Sequence, residues 1–171
     1  MSPESDAVLA PMGDGLYELR FERRYALSVT QVWAALTEPA RLADWLAEAR
    51  LDLRLGGEIS LYWPSHDYRM TGVIVALEPP HLIAWTWPQA NHPQSVVRWE
   101  LEAAPGGCRL ILTQSHLTQP GLVDTTSGWH THLEGLADAA IGRPASWSSQ
   151  REAEHAARYR ASLAGEAATV G

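Results

Sequence analysis

The hydrophobic period of this chain changes twice, and those changes limit the folds open to it. From Leu51 to Gln114 apolar residues recur at every second position, whereas before and after they recur at three or four. A period of two belongs to strands with one buried and one wetted face, and a period near 3.6 to amphipathic helices. Leu19, Phe21, Arg23 and Tyr25 alternate with charged residues and predict a first strand. Ser28 and Gln31 have capping-box spacing; Val32, Trp33 and Leu36 share one helical face, and Pro39 ends the run. Leu42, Trp45 and Leu46 predict a second short helix.

The strand series then runs through Leu51, Leu53 and Leu55, a Gly56-Gly57 turn, and Ile59, Leu61 and Trp63. It continues through Tyr68–Leu77, through Ile83, Trp85 and Trp87, through Val97, Trp99 and Leu101, and through Cys108, Leu110, Leu112 and Gln114. Short turns between consecutive strands imply antiparallel pairing, and one polar face per strand implies a sheet wetted on one side. After Pro120, Trp129, Leu133, Leu136 and Ala140 form one stripe of a long helix. Ser149 and Glu152 repeat the capping spacing before a polar, Ala-rich helix running to about Leu163.

The expected fold is therefore α+β, a helix grip: a curved antiparallel sheet wrapped around a long C-terminal helix, with two short helices after the first strand. Residues 1–15 are expected as a flexible tail, 16–164 as one domain with 143–164 an extra C-terminal helix, and 165–171 as a loose tail. A length of 171 residues suits one domain.

Charge and cysteine content narrow the function. A formal net charge of −7 disfavours nucleic acid and anionic lipid as partners. The single Cys108 cannot close an internal disulfide, which fits a reducing cytoplasm, and no segment has signal-peptide or membrane-spanning character. Eight Trp against one Phe is an unusual balance, because each indole adds a polar handle to a large apolar surface.

Several segments resemble a known family: Val32-Trp33-Ala34-Ala35-Leu36-Thr37-Glu38-Pro39, Leu42-Ala43-Asp44-Trp45-Leu46, Asp52-Leu53-Arg54-Leu55-Gly56-Gly57, and Glu78-Pro79-Pro80. Trp85-Thr86-Trp87 and Gly128-Trp129 with Leu133 and Leu136 complete the set. Together they resemble the activator of heat-shock-protein-90 ATPase homologue-like branch of the SRPBCC (START, birch-pollen-allergen-like) superfamily, over roughly residues 16–141. The resemblance implies a helix grip whose members include co-chaperone domains and binders of hydrophobic ligands. Gln114 stands where the family often has His, and His116 follows two residues later.

On this reading the gap between sheet and long helix binds a small hydrophobic or aromatic molecule. Its expected lining is Tyr68, Met70, Trp85, Trp87, Trp99, Leu112 and Trp129, with Gln114 and His116 as polar anchors and Gly72 leaving room. No catalytic residue, metal site or cofactor is expected. His130 and His132 diverge on their helix, His92 and the other histidines have no ligand spacing, and Ser115 and His116 as strand neighbours face apart. Trp129, Leu133 and Leu136 should face the sheet, with His130 and Glu134 nearer solvent. The alternatives are a co-chaperone-like module for a heat-shock ATPase and a small hydrolase or cyclase using the same pocket. A homodimer or protein partner stays open.

Overall fold

The computed structural model describes residues 5–89 and 94–169. The capping box forms as expected. The Gln31 amide donates to the Ser28 hydroxyl at 3.2 Å, and the Ser28 amide donates to the Gln31 side chain at 2.9 Å. Two donors that a helix start leaves unpaired are thereby satisfied, and α1 (Val29–Thr37) follows. Pro39 ends α1 and opens α2 (Pro39–Trp45), where a missing N–H costs nothing.

The strands are β1 (Val8–Gly13), β2 (Leu16–Tyr25), β3 (Glu48–Leu51), β4 (Glu58–Trp63), β5 (Tyr68–Glu78), β6 (Leu82–Thr86), β7 (Val96–Ala104) and β8 (Gly107–Thr118). They form one antiparallel sheet in the order β1-β2-β8-β7-β6-β5-β4-β3. Its apolar face curls on the long helix α3 (Gln119–Ala140), with α1 and α2 on the same side. This is the expected helix grip. Trp129, Leu133 and Leu136 of α3 are buried, as are Phe21, Ile83, Trp85, Trp99 and Leu112 of the sheet. The opposite face is wet and charged: Arg109 grips Glu22 at 2.7 and 2.9 Å and Glu102 at 2.8 Å, holding the Glu22 carboxyl at about 2, well below the usual range.

Several expectations are corrected. Residues 8–13, expected within a flexible tail, form the edge strand β1 against β2. Pro11 in that segment suits an edge, where no ladder donor is missed. The segment from Asp52 to Gly57 is a tight turn rather than a strand, so Leu55 is 65% exposed. The last helix, α4 (Ser149–Thr169), is longer than expected and packs on α3. His130 is consequently buried, not near solvent. Gly72 leaves no room: a Cβ there would collide with the Thr86 carbonyl oxygen.

Candidate functional site

The space between the sheet and α3 is largely filled by rings. Trp99 meets Trp45, Trp85 and Trp129 at centroid distances of 5.8, 6.2 and 5.4 Å, and Trp129 meets Trp87 at 5.3 Å. Most of these contacts are edge-to-face, the arrangement the ring quadrupole favours. The Trp129 indole N–H donates to the Gln114 side-chain oxygen at 2.6 Å, and the Gln114 amide donates to the Ser95 hydroxyl at 3.0 Å. Gln114 is thus a satisfied buried amide.

Two spaces adjoin this packing. A recess of about 150 Å³ is bounded by Trp87, Gln114 and Trp129, with Leu46, Trp63, Gly128 and His132 at its margin. A groove of about 1020 Å³ lies beyond it, along a flank of α3. Its walls are Trp45 and Leu46 of α2, Trp63 and Tyr68 around the short turn Pro64–His66, and Gly128, His132 and Gly135 of α3. The linker to α4 closes it with Ala145 and Trp147. Leu46, Trp63, Gly128 and His132 border both spaces, so the recess opens from the groove.

Of the expected lining residues, Trp87, Gln114 and Trp129 border the recess and Tyr68 borders the groove, stacked on Trp63 at 5.5 Å. Met70, Trp85, Trp99 and Leu112 are buried and line neither space. His116 also lines neither. A bulge in β8 opposes Ser115 and His116 to the single residue Glu18, with His116 at φ 60°. The inward position therefore passes from Gln114 to Leu117, which is buried, and parity counting across the bulge fails. The same bulge brings His116 Nδ1 to 2.9 Å from the Ser115 hydroxyl, so those neighbours do touch. Cys108 is buried, and burial pushes its thiol up.

Among the groove residues that sequence alone did not single out are Trp147 and His132. Trp147 lies in a Pro- and Ser-containing linker and is 44% exposed. A large ring in such a segment is the signal that could have found it. It packs on His132 at 4.5 Å. His132 bonds the Trp45 carbonyl through Nδ1 at 2.9 Å, and burial lowers its pKa to about 4. It is therefore neutral at pH 7.

On the other flank of α3, His130, Glu134 and His155 offer ligand atoms within 4.8 Å of one another. Their geometry is that of a helix joint. The two imidazoles stack in parallel at 3.8 Å, so their in-plane lone pairs do not converge. His155 bonds Glu134 at 2.8 Å and Arg158 at 3.0 Å, Arg151 doubly bonds Glu134, and His130 Nδ1 meets the Tyr159 hydroxyl at 2.8 Å. A metal would have to displace these bonds. Tyr159 in turn accepts the Ala7 amide at 2.9 Å, and Arg158 pairs with Asp6 at 2.7 Å, tying α4 to the segment before β1.

The family model described as Activator of Hsp90 ATPase homolog 1-like protein matches residues 26–140. Among solved structures, the chain is similar to CalU16 from Micromonospora echinospora at 24% identity, covering 91% of this chain and 96% of that one, with a TM-score of 0.74. It is similar to a conserved protein of unknown function from Enterococcus faecalis at 18% identity, 93% and 91% coverage and a TM-score of 0.76. A protein from Bordetella parapertussis shares 26% identity over 94% of both chains, with a TM-score of 0.67. No curated protein matches the chain. No helix among the described residues is long and apolar enough to cross a membrane.

Proposed function

Because the chain belongs to the Activator of Hsp90 ATPase homolog 1-like family, we propose that it uses this helix grip to bind a small aromatic molecule in the groove beside α3, with one end of the ligand entering the recess. One observation carries the reading: a groove of about 1020 Å³, walled by Trp45, Trp63, Tyr68 and Trp147, opening onto a recess edged by Trp87 and Trp129. Sites for small ligands are concave, mostly apolar, and furnished with a few polar groups. The expected cavity thus moves outward, from between sheet and helix to the flank of the helix, because the indoles fill the interior. His132 supplies a polar group within reach. With its basicity lowered so far it serves better as a neutral hydrogen-bond acceptor than as a general base near pH 7.

The test is a library of naphthalene-sized aromatic compounds read by tryptophan fluorescence and melting temperature. A ligand should quench the groove indoles. It should stabilise the fold by roughly 2.7 kcal/mol at a hundredfold excess over Kd. Gly128 borders both spaces and a Cβ there would meet nothing within 4 Å, so Gly128→Phe should block the recess and its mouth in a folded protein and remove both responses. A library that moves neither signal, or a Gly128→Phe protein that responds like the wild type, ends the proposal.

A further inference from the structure

The charged side chains that line the groove are acidic, and its histidine presents an acceptor. A carbonyl oxygen can only accept, so the His132–Trp45 bond fixes the proton on Nδ1 and leaves Nε2 as a lone-pair acceptor. No hydrogen bond occupies that Nε2 among the described residues. The Thr131 hydroxyl spends its proton on the Ser127 carbonyl and keeps its lone pairs. Asp44, Glu134, Asp138 and Glu152 add carboxylates, and neither lysine nor arginine lines the groove. Glu134 and Asp138 are matched by Arg151 and Arg143. Asp44, on α2, and Glu152, on α4, have no ion pair among the described residues. The same groove is lined by the indoles of Trp45, Trp63 and Trp147, whose faces attract cations, in a chain of net charge −7.

We infer that the ligand of this groove is a cation, an aromatic molecule bearing a protonated amine. The inference rests on the binding reading above and adds its charge. Ammonium protons are the donors that the His132 Nε2, Asp44 and Glu152 acceptors lack, while the aromatic body lies on the indoles. An anionic ligand of the same shape would meet the unmatched carboxylates of Asp44 and Glu152 with only neutral donors, such as the Ser65, Tyr68 and Ser146 hydroxyls, to offset them, so the groove selects against it as well as for the cation.

Three probes sharing one ring system separate charge from shape: 1-naphthylmethylamine, 1-naphthylmethanol and 1-naphthylacetate, titrated by calorimetry at pH 7 and low salt. The amine should bind at least about tenfold tighter than the alcohol, and the acetate more weakly than both. Raising the salt from ~0.01 to ~1 M shortens the screening length from ~30 to ~3 Å and should shrink the amine's advantage without touching the alcohol. The double variant Asp44→Asn, Glu152→Gln should bring amine and alcohol to within about twofold, the loss falling mainly on the amine. Gly128→Phe should abolish binding of all three. Equal affinity for amine and alcohol in the wild type overturns the assignment of charge while leaving the groove as a binding site. An amine preference that survives in the double variant overturns the role of Asp44 and Glu152. If no probe binds the wild type, the binding reading falls and this inference with it.

Discussion

His130 and His132 stand two residues apart on α3 and meet opposite surroundings. His130 is sealed beneath α4, stacked on His155 and bonded to Tyr159. His132 borders an open groove, held by one backbone bond and capped by the half-exposed Trp147. On the covered flank, polar groups are paired: Asp6 with Arg158, Tyr159 with both Ala7 and His130, and Glu134, which also reaches the groove, with Arg151 and His155. On the open flank, Asp44 and Glu152 carry no such partner among the described residues. The difference follows from desolvation. A flank that another helix covers must satisfy its polar atoms, since each one left buried and unpaired costs about 1–3 kcal/mol. A flank open to water can keep acceptors in reserve for a ligand.

The largest effect expected is at the ring standing between the two flanks. Trp129 is 4% exposed, touches Trp87 and Trp99, and is the hydrogen-bond partner of Gln114. Trp129→Ala should cost roughly 3–5 kcal/mol in urea unfolding. Trp147→Ala, at the groove rim, should cost under ~1 kcal/mol, because a half-exposed ring surrenders little burial. Ligand binding should nevertheless weaken in the Trp147 variant. If the two substitutions cost the same, the contrast between a packed interior and an open flank is wrong.

Next in size is the response to acid, which both flanks should share. Burial is the main cause that lowers His130 to about 3 and His132 to about 4, against an ordinary 6.5. Between those limits the unfolded chain binds protons that the folded chain refuses, so stability is complete above about 6.5 and declines as the pH falls. The lowered carboxyls of Glu22 and Glu134 act in the same direction, but only below their ordinary value of 4.5. The interval from 6.5 to 4.5 therefore isolates the histidines. The urea midpoint should fall steadily across it. A flat midpoint there would mean that neither imidazole is held neutral by its surroundings.

Much of the architecture was legible because period survives local detail. The shift from 3.6 to 2 and back located every strand from β4 to β8 and the buried stripe Trp129, Leu133 and Leu136. What escaped depends on contacts that leave no periodic trace. Strand β1 offers a run of adjacent apolar residues, Val8-Leu9-Ala10, without a period of two, and its neighbourhood is fixed by bonds between Asp6 and Ala7 and residues 152 positions away. His116 was placed by counting parity, which a one-residue bulge reverses. Aromatic content announced a ring-walled site but not which rings, since Trp85 and Trp99 spend their faces on each other and on neighbouring indoles. Trp147 belongs to no helix or strand, so no pattern could aim it at His132.

The smallest effect separates the two ends of the groove by its sign. Gly128 and Gly135 are two turns apart on α3, and both border the groove. Glycine inside a helix costs roughly 0.5–1 kcal/mol relative to alanine, through the freedom it loses on folding. At Gly128 a Cβ would find open space, so Gly128→Ala should recover that amount and raise the urea midpoint, while a single methyl leaves most of the groove free for ligand. At Gly135 the added Cβ would collide with that of Ala145, on the linker whose amide donates to the Asp44 carbonyl at 2.8 Å. Relief requires pushing that linker away from α2, so Gly135→Ala should be destabilising despite the gain in helix propensity, and should loosen the groove wall carrying Trp147. Gains of equal size at both positions would show that the linker does not press on α3, and the groove would lose its closed end.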